Sequence, residues 1–417
     1  MDSEKVNDWI GAHAEQMVEL QAELTSRPAM APENGGEGEW EKARFLEGWL
    51  CEHGLDQITH YDFADERVSE GTRPNLVAEL PGRREKPCVW VCTHMDVVPP
   101  GQQNADGSWE GWESDPFTVR RAGDMIVGRG VADDQQALVS SVFAALALLE
   151  AGLEPAHTVR LAFVSDEETG NRYGLGGLLH EHGEMFTPED VIIVPDGGNE
   201  DGSMIEVAEK SVLWLEFRVV GKQSHGSRPD VGVNAFRAAA WLVNQLDEGF
   251  KLHFDKVDHL YEPPASTFEP TLHKANVPNV NTIPGEDVFC FDCRVLPTYG
   301  LDSVLDFVQA QCRRADGRFG TTTELTIRNR SDAAPATSPD DTVVRVLESA
   351  IKEVTGVEPK PMGIGGMTFA SLFRAQGLPA AAWMTTSGTA HEANEVCSVA
   401  HMVSDAAVFA HVYMNDF

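Results

Sequence analysis

Five side chains of this sequence could act together as metal ligands: His94, Asp133, Glu168, Asp196 and His391. Two imidazoles and three carboxylates suit Zn²⁺ first, with Co²⁺ or Mn²⁺ as alternatives. The set is large enough for two divalent ions with a water between them. Such a pair activates the water and clamps the oxyanion that develops when a carbonyl is attacked. Asp96, two residues after His94, can orient that imidazole. Glu167, beside Glu168, can take the water's proton and pass it to a leaving amine. Singly, each residue has an ordinary reading. Acids such as Asp133 and Asp134 suit a helix N-terminus. Asp196 before Gly197-Gly198 suits a turn, and His391 suits a surface. What argues for metal is that all five fall at comparable places in the pattern of elements.

Those places are the ends of apolar runs. Cys88–Cys92, Val159–Val164 and Val191–Val194 read as strands buried on both faces. His94, Glu167-Glu168 and Asp196 follow them in that order. A fourth run, Ala380–Met384, precedes His391. Asp133-Asp134 opens a long helix expected from Gln135 to Leu149 and stopped near Gly152. Strands alternating with helices predict an α/β layer with a mainly parallel sheet. Ligands of such sheets gather at the carboxyl ends of the strands. Near the start, helices are expected over residues 4–24 and 40–53.

The texture changes after Glu209. Val212–Val220 alternates, a helix is expected over Asn234–Leu246, and strands near Thr271–Ala275 and Asp287–Leu296 follow. A helix over Ser303–Arg314 and a strand over Thr322–Arg328 complete a β-α-β-β-α-β order. The first texture returns with a helix over Asp341–Val354. The expected organisation is a catalytic domain in two parts, residues 1–209 and 331–417. An α+β, ferredoxin-like domain is inserted at 210–330.

The chain carries 66 acidic and 32 basic residues, a net charge of −34 over 417 residues. That balance excludes nucleic acid and anionic membranes as partners, since both require basic surface. Recurring apolar runs exclude disorder. The acid is spread along the chain, as expected of a surface adapted to a very salty cytoplasm. Seven scattered cysteines do not form a disulfide framework. Cys290 and Cys293 lie three apart on a strand, so they face opposite sides and should be ordinary packed thiols. No secretory signal is visible, and the helix over Ala137–Leu149 is too short to span a bilayer.

With these residues assembled, the sequence resembles the co-catalytic metallopeptidase family of acetylornithine deacetylase, succinyl-diaminopimelate desuccinylase, aminoacylase and carboxypeptidase G. The segments that carry the resemblance run through most of the chain. They are Thr93-His94-Met95-Asp96, Gly128 to Asp134, Ser165 to Gly170, Val194-Pro195-Asp196-Gly197 and Thr389 to Glu395. The resemblance implies His94, Asp133 and Asp196 on one metal, and Asp133, Glu168 and His391 on the other. It also implies a cis link between Asp133 and Asp134, Glu167 as general base and Asp96 as orienter.

The inserted region resembles the family's lid and dimerisation domain. Gln223 to Ser227 matches a segment whose histidine, here His225, reaches the partner subunit's site and stabilises the oxyanion. Asn281 to Gly285 and Asp292-Cys293-Arg294 match substrate-contacting segments, so Asn281 and Arg294 are expected on the substrate carboxylate. An alternative for Arg294 is a simple pair with Asp292. Gly365 and Gly366 match a glycine-rich segment lining the substrate pocket. The chain departs from the family in three places. Gln135-Gln136 follows Asp133-Asp134 where many members have Lys-Gly. Asp196 stands where deacetylases and desuccinylases commonly carry Glu; aspartate there is more typical of dipeptidase and tripeptidase branches and of some archaeal-type deacylase-like members. Met367-Thr368 replaces a Thr/Ser-Asp pair. The expected function is a cytoplasmic, homodimeric two-metal amidohydrolase acting on an N-acyl amino acid. A dipeptidase or carboxypeptidase is the second expectation, and a metal-dependent binding protein without catalysis the third.

Overall fold

The computed structural model describes residues 2–417. They fall into two compact units. One contains the chain up to Val207 with Pro335–Met362 and Thr368–Phe417, and the other contains Ala208–Ala334 with Gly363–Met367.

The first unit is built on an eight-stranded sheet. Its order is Ile58–His60, Leu76–Leu80, His157–Val164, Arg84–His94, Val191–Asn199, Ala380–Thr385, Met204–Glu209 and Lys360–Ile364. The four central strands are parallel, with Thr93 opposite Phe163, Val91 opposite Ile193 and Ala380 opposite Ile192. Their continuous apolar runs are buried on both faces, as Cys88, Val89, Trp90, Val91 and Cys92 all are. The sheet is mixed rather than uniformly parallel, because its flanks run antiparallel. Only Pro81–Arg83 separates Leu80 from the next strand, too few residues for the crossover that parallel strands need.

The long helix spans Gln135–Ala151 and is buried from Gln135 to Leu148. It ends at Gly152, whose φ of 64° supplies the left-handed residue that closes a helix. It packs against the C-terminal helix Val399–Met414, and Ser140 Oγ donates to Met402 O at 2.9 Å. The single helix expected over residues 4–24 is two, Asp2–Ala12 and Ala14–Thr25. The break falls at His13, just after the weak helix former Gly11. There the imidazole stacks on Trp9 at 3.8 Å, with Nδ1 2.7 Å from Trp9 O.

The second unit is a four-stranded antiparallel sheet ordered Thr267–His273, Glu286–Val295, Ser211–Val220 and Thr322–Ser331. Helices Ala235–His253 and Leu301–Phe319 complete the β-α-β-β-α-β order. Leu213, Leu215, Phe217 and Val219 enter its core, while Trp214 and Arg218 face out. Cys290 is half-buried and Cys293 buried, and all seven cysteines are free. No helix among the described residues is long and apolar enough to cross a membrane.

Candidate metal centre

The parallel strands bring their carboxyl ends to one rim. His94 is the last residue of its strand, and Glu167 and Glu168 lie in the turn after Val164. Asp196 lies in Val191–Asn199 just past its buried half, and His391 lies in the loop after Thr385. Asp133 lies in the turn that enters the long helix. That turn passes through Gly130 at φ 84°, where a Cβ would stand 2.7 Å from both Gln135 Nε2 and Val97 Cγ1.

The side chains converge. Nε2 of His94 is 2.9 Å from Asp133 Oδ1 and 3.9 Å from Asp196 Oδ1. Nε2 of His391 is 3.1 Å from Asp133 Oδ2 and 3.0 Å from Glu168 Oε2. Asp133 thus presents one oxygen to each imidazole. His94, Asp133 and Glu168 also offer ligand atoms that all lie within 4.8 Å of one another. The His94 side chain is fully buried, whereas that of His391 is 56% exposed, so one edge of the cluster opens to solvent. His391 holds φ at 65°, a left-handed conformation that a histidine adopts at a cost.

Behind the cluster, Asp96 joins two elements. Its carboxylate accepts from Glu167 N and Glu168 N, each at 3.0 Å. Its main-chain oxygen lies 3.0 Å from His94 Nδ1, and its carboxylate lies at 3.5 Å. A carbonyl only accepts, so Nδ1 carries the proton and Nε2 faces the cluster. Asp134 accepts from His94 N at 3.1 Å, and the Asp133–Asp134 peptide is cis.

Three supports escaped the sequence reading. The buried Glu395 carboxylate accepts from Arg129 Nη1, Gly130 N, Ala132 N and Asp133 N at 2.7 to 3.0 Å. It fixes the main chain at Asp133 from a position four residues after His391. Lys42, buried in helix Trp40–Glu52, donates to Met95 O at 2.8 Å between His94 and Asp96. Burial pulls its ammonium down to about 8, against the pull of Asp96, Glu39 and Glu395. Arg73 and Glu39 form a buried ion pair, with Arg73 Nη1 3.8 Å from Asp166 beside Glu167. Lys42 left a signal as a charged residue on the apolar stripe of its helix with Ala43, Leu46 and Leu50, and Glu395 ends the Thr389–Glu395 segment that carries the resemblance.

Electrostatics show a cluster short of positive charge. Burial, then the charges of Glu167 and Asp133, push Asp196 well above the usual carboxylate range. Burial also raises Glu168 and pushes Glu167 up to about 7, with Asp96 and Glu168 adding to the rise and His94 opposing it. Asp133 moves the other way. Burial opposes its ionisation, but the hydrogen bonds to His391 and His94 prevail. His391 is raised to about 10 by Asp133 and Glu168. Protons are therefore held where divalent ions would serve better, and the nitrogen and oxygen donors are those Zn²⁺ accepts.

The second unit places its predicted residues as follows. His225 lies on a short strand, opposite Thr282 and next to Asn281, whose carbonyl accepts from Gly226 N at 2.6 Å. Its Nδ1 is 2.8 Å from Ser227 Oγ and the ring is exposed. Arg294 binds the Asp292 carboxylate with Nε at 2.7 Å and Nη2 at 3.0 Å, while Nη1 donates to Gly365 O at 2.9 Å. Gly366 follows Gly365 in that segment, and Ile364 Cδ1, at 3.7 Å, is the nearest atom to a Cβ built on it.

The chain is similar over nearly its whole length to known proteins. It is 34% identical to an uncharacterized metallohydrolase of Methanocaldococcus jannaschii over 410 residues, covering 95% of this chain and 98% of that protein. It is 27% identical to the succinyl-diaminopimelate desuccinylase of a Nitratiruptor species, covering 91% of this chain and 94% of that protein. Its fold superposes on human carnosine dipeptidase 1 with a TM-score of 0.74 at 15% identity, covering 99% and 98% of the two chains. The model of peptidase family M20/M25/M40 matches residues 90–415, which include every predicted site residue, and the chain belongs to that family.

Proposed function

We propose that this protein is a two-metal amidohydrolase that cleaves short peptides, as a dipeptidase or carboxypeptidase does. The observation that carries the two-metal reading is Asp133, one oxygen turned to His94 and the other to His391. His94, Asp133 and Asp196 would hold one ion, and His391, Asp133 and Glu168 the other. Zn²⁺ is our first choice of metal. When bound, such a pair acidifies a water and polarises a carbonyl.

The chain's own groups do the rest. Glu167 accepts the proton of the attacking water and delivers it to the leaving amine. Asp96 holds the Glu167-Glu168 turn and the His94 ring. His225, from the second subunit of a homodimer, donates to the developing oxyanion. Arg294 and Asn281 take the substrate carboxylate, beside the Gly365-Gly366 segment. Asp292 and Gly365 engage three of the five guanidinium N–H groups, which leaves two for a ligand.

Asp196 is one support for a peptide, because the resemblance ties aspartate there to dipeptidase and tripeptidase branches, as well as to some archaeal-type deacylase-like members. The fold shared with human carnosine dipeptidase 1 agrees. This reverses the order of preference reached from the motifs alone. A deacylase acting on an N-acyl amino acid is the second reading, favoured by 27% identity to a desuccinylase. Free cysteines fit a reducing cytoplasm. The −34 charge fits a salty one, so thermal stability should rise steeply toward molar KCl.

The test is hydrolysis of dipeptides, N-acetyl and N-succinyl amino acids in molar KCl with Zn²⁺ or Co²⁺. Turnover of dipeptides supports the first reading, and turnover of N-acyl amino acids alone replaces it with the second. Silence across the panel with two metals bound would leave a substrate outside it or a metal-dependent binding protein without catalysis.

A further inference from the structure

Beneath the metal centre lies a buried polar trio that the proposed chemistry does not use. Asp405, on helix Val399–Met414, is fully buried. Its carboxylate accepts from Gln136 Nε2 at 2.8 Å, Thr385 N at 3.1 Å and Thr385 Oγ1 at 2.7 Å. Gln136 Nε2 also donates to Thr385 O at 2.6 Å. Burying a carboxylate is costly, and every hydrogen-bond donor recorded to this one comes from two places. Gln136 sits in the first turn of the long helix, three residues after Asp133. Thr385 ends its strand, six residues before His391.

The segments bearing Asp133 and His391 are therefore joined twice. At the tip, Glu395 binds the main chain of Gly130, Ala132 and Asp133. At the root, Asp405 binds Gln136 and Thr385. The strand of Thr385 runs in parallel register with Val191–Asn199, which carries Asp196, and Thr385 lies opposite Asn199. An apolar trio would fill the space as well, but directional hydrogen bonds also fix how the segments are set against each other.

We propose that Asp405, Gln136 and Thr385 are positioning residues that set Asp133 against His391, and through them the affinity of the His391–Asp133–Glu168 half of the centre. The inference rests on the two-metal reading above. The test uses the full chain stripped of metal and titrated with Co²⁺, read by calorimetry and by the visible cobalt spectrum. Gln136→Met keeps the volume and removes the donor, and Asp405→Asn removes the charge.

The expected result is one ion bound as in the wild type and the other weakened about tenfold or more, with an altered cobalt spectrum, beside a modest fall in the metal-free melting temperature from the hydrogen bond lost to a buried carboxylate. Two ions bound by Gln136→Met with wild-type affinity and spectrum would overturn the proposal. So would equal weakening of both ions, which is general loosening. If Asp405→Asn does not fold, Gln136→Met decides alone. A wild type that binds no Co²⁺ would instead sink the two-metal reading itself.

Discussion

The sheet rim and the inserted unit treat their predicted residues differently. On the rim, His94, Asp133, Glu168 and His391 close on one another at hydrogen-bond distance, with Asp196 3.9 Å from His94, and a further layer of Asp96, Asp134 and Glu395 holds them there. In the inserted unit, His225 and Asn281 have local main-chain partners and stay exposed, while Arg294 is paired with Asp292. A metal centre is made by its own ligands and must be organised within the chain. Residues proposed to reach a substrate or a second subunit would find part of their partners outside the chain.

The comparison can be broken at either end. The largest effect is expected on the rim. Glu167→Ala should lower kcat by about 10²–10⁴-fold while both metals stay bound. Near wild-type turnover by that variant, with metal present, would remove Glu167 from the mechanism. Next is Glu395→Gln, which weakens the cradle around Gly130, Ala132 and Asp133. Metal affinity should fall about 10–100-fold with the fold intact by circular dichroism. An unchanged affinity would leave Glu395 a purely structural residue.

A smaller, partial effect is expected from the inserted unit. Inactive His225→Ala mixed with inactive Glu167→Ala should recover activity after subunit exchange, because one site of the mixed dimer keeps both groups. No recovery would mean that His225 does not act across subunits.

The smallest effect is a pH dependence. Burial lifts Glu167 from 4.5 to about 7, so the folded, metal-free chain holds this proton more tightly than the unfolded chain does. That stabilising contribution is complete below about 4.5 and lost as pH rises through about 7. Divalent ions replace protons in the cluster. The rise in melting temperature on adding Zn²⁺ should therefore be larger at pH 8 than at pH 5.5. An equal rise at both would show that binding is not linked to these carboxyls.

What could be read in the sequence follows the same physics. Buried parallel strands are continuous apolar runs, so Cys88–Cys92 and Val191–Val194 announced themselves and placed His94 and Asp196 at their ends. The alternation of Leu213, Leu215 and Phe217 marked a sheet with one buried face. The antiparallel flank was not legible, because an apolar run such as Leu76–Leu80 carries no sign of its direction, and Ile58–His60 is only three residues long and largely exposed. Lys42 on Met95, Arg73 on Glu39 and Glu395 on Asp133 join residues from 34 to 262 positions apart. No local pattern encodes such pairs. The root joint at Asp405 was hidden for the same reason, 269 positions from Gln136.

The most direct test of the central claim is the metal content of the purified protein at saturation, measured for the wild type and for Asp133→Ala. A centre bridged by Asp133 predicts two ions per chain in the wild type and, in the variant, at most one, weakly held. One ion in the wild type, or two retained by Asp133→Ala, would contradict it.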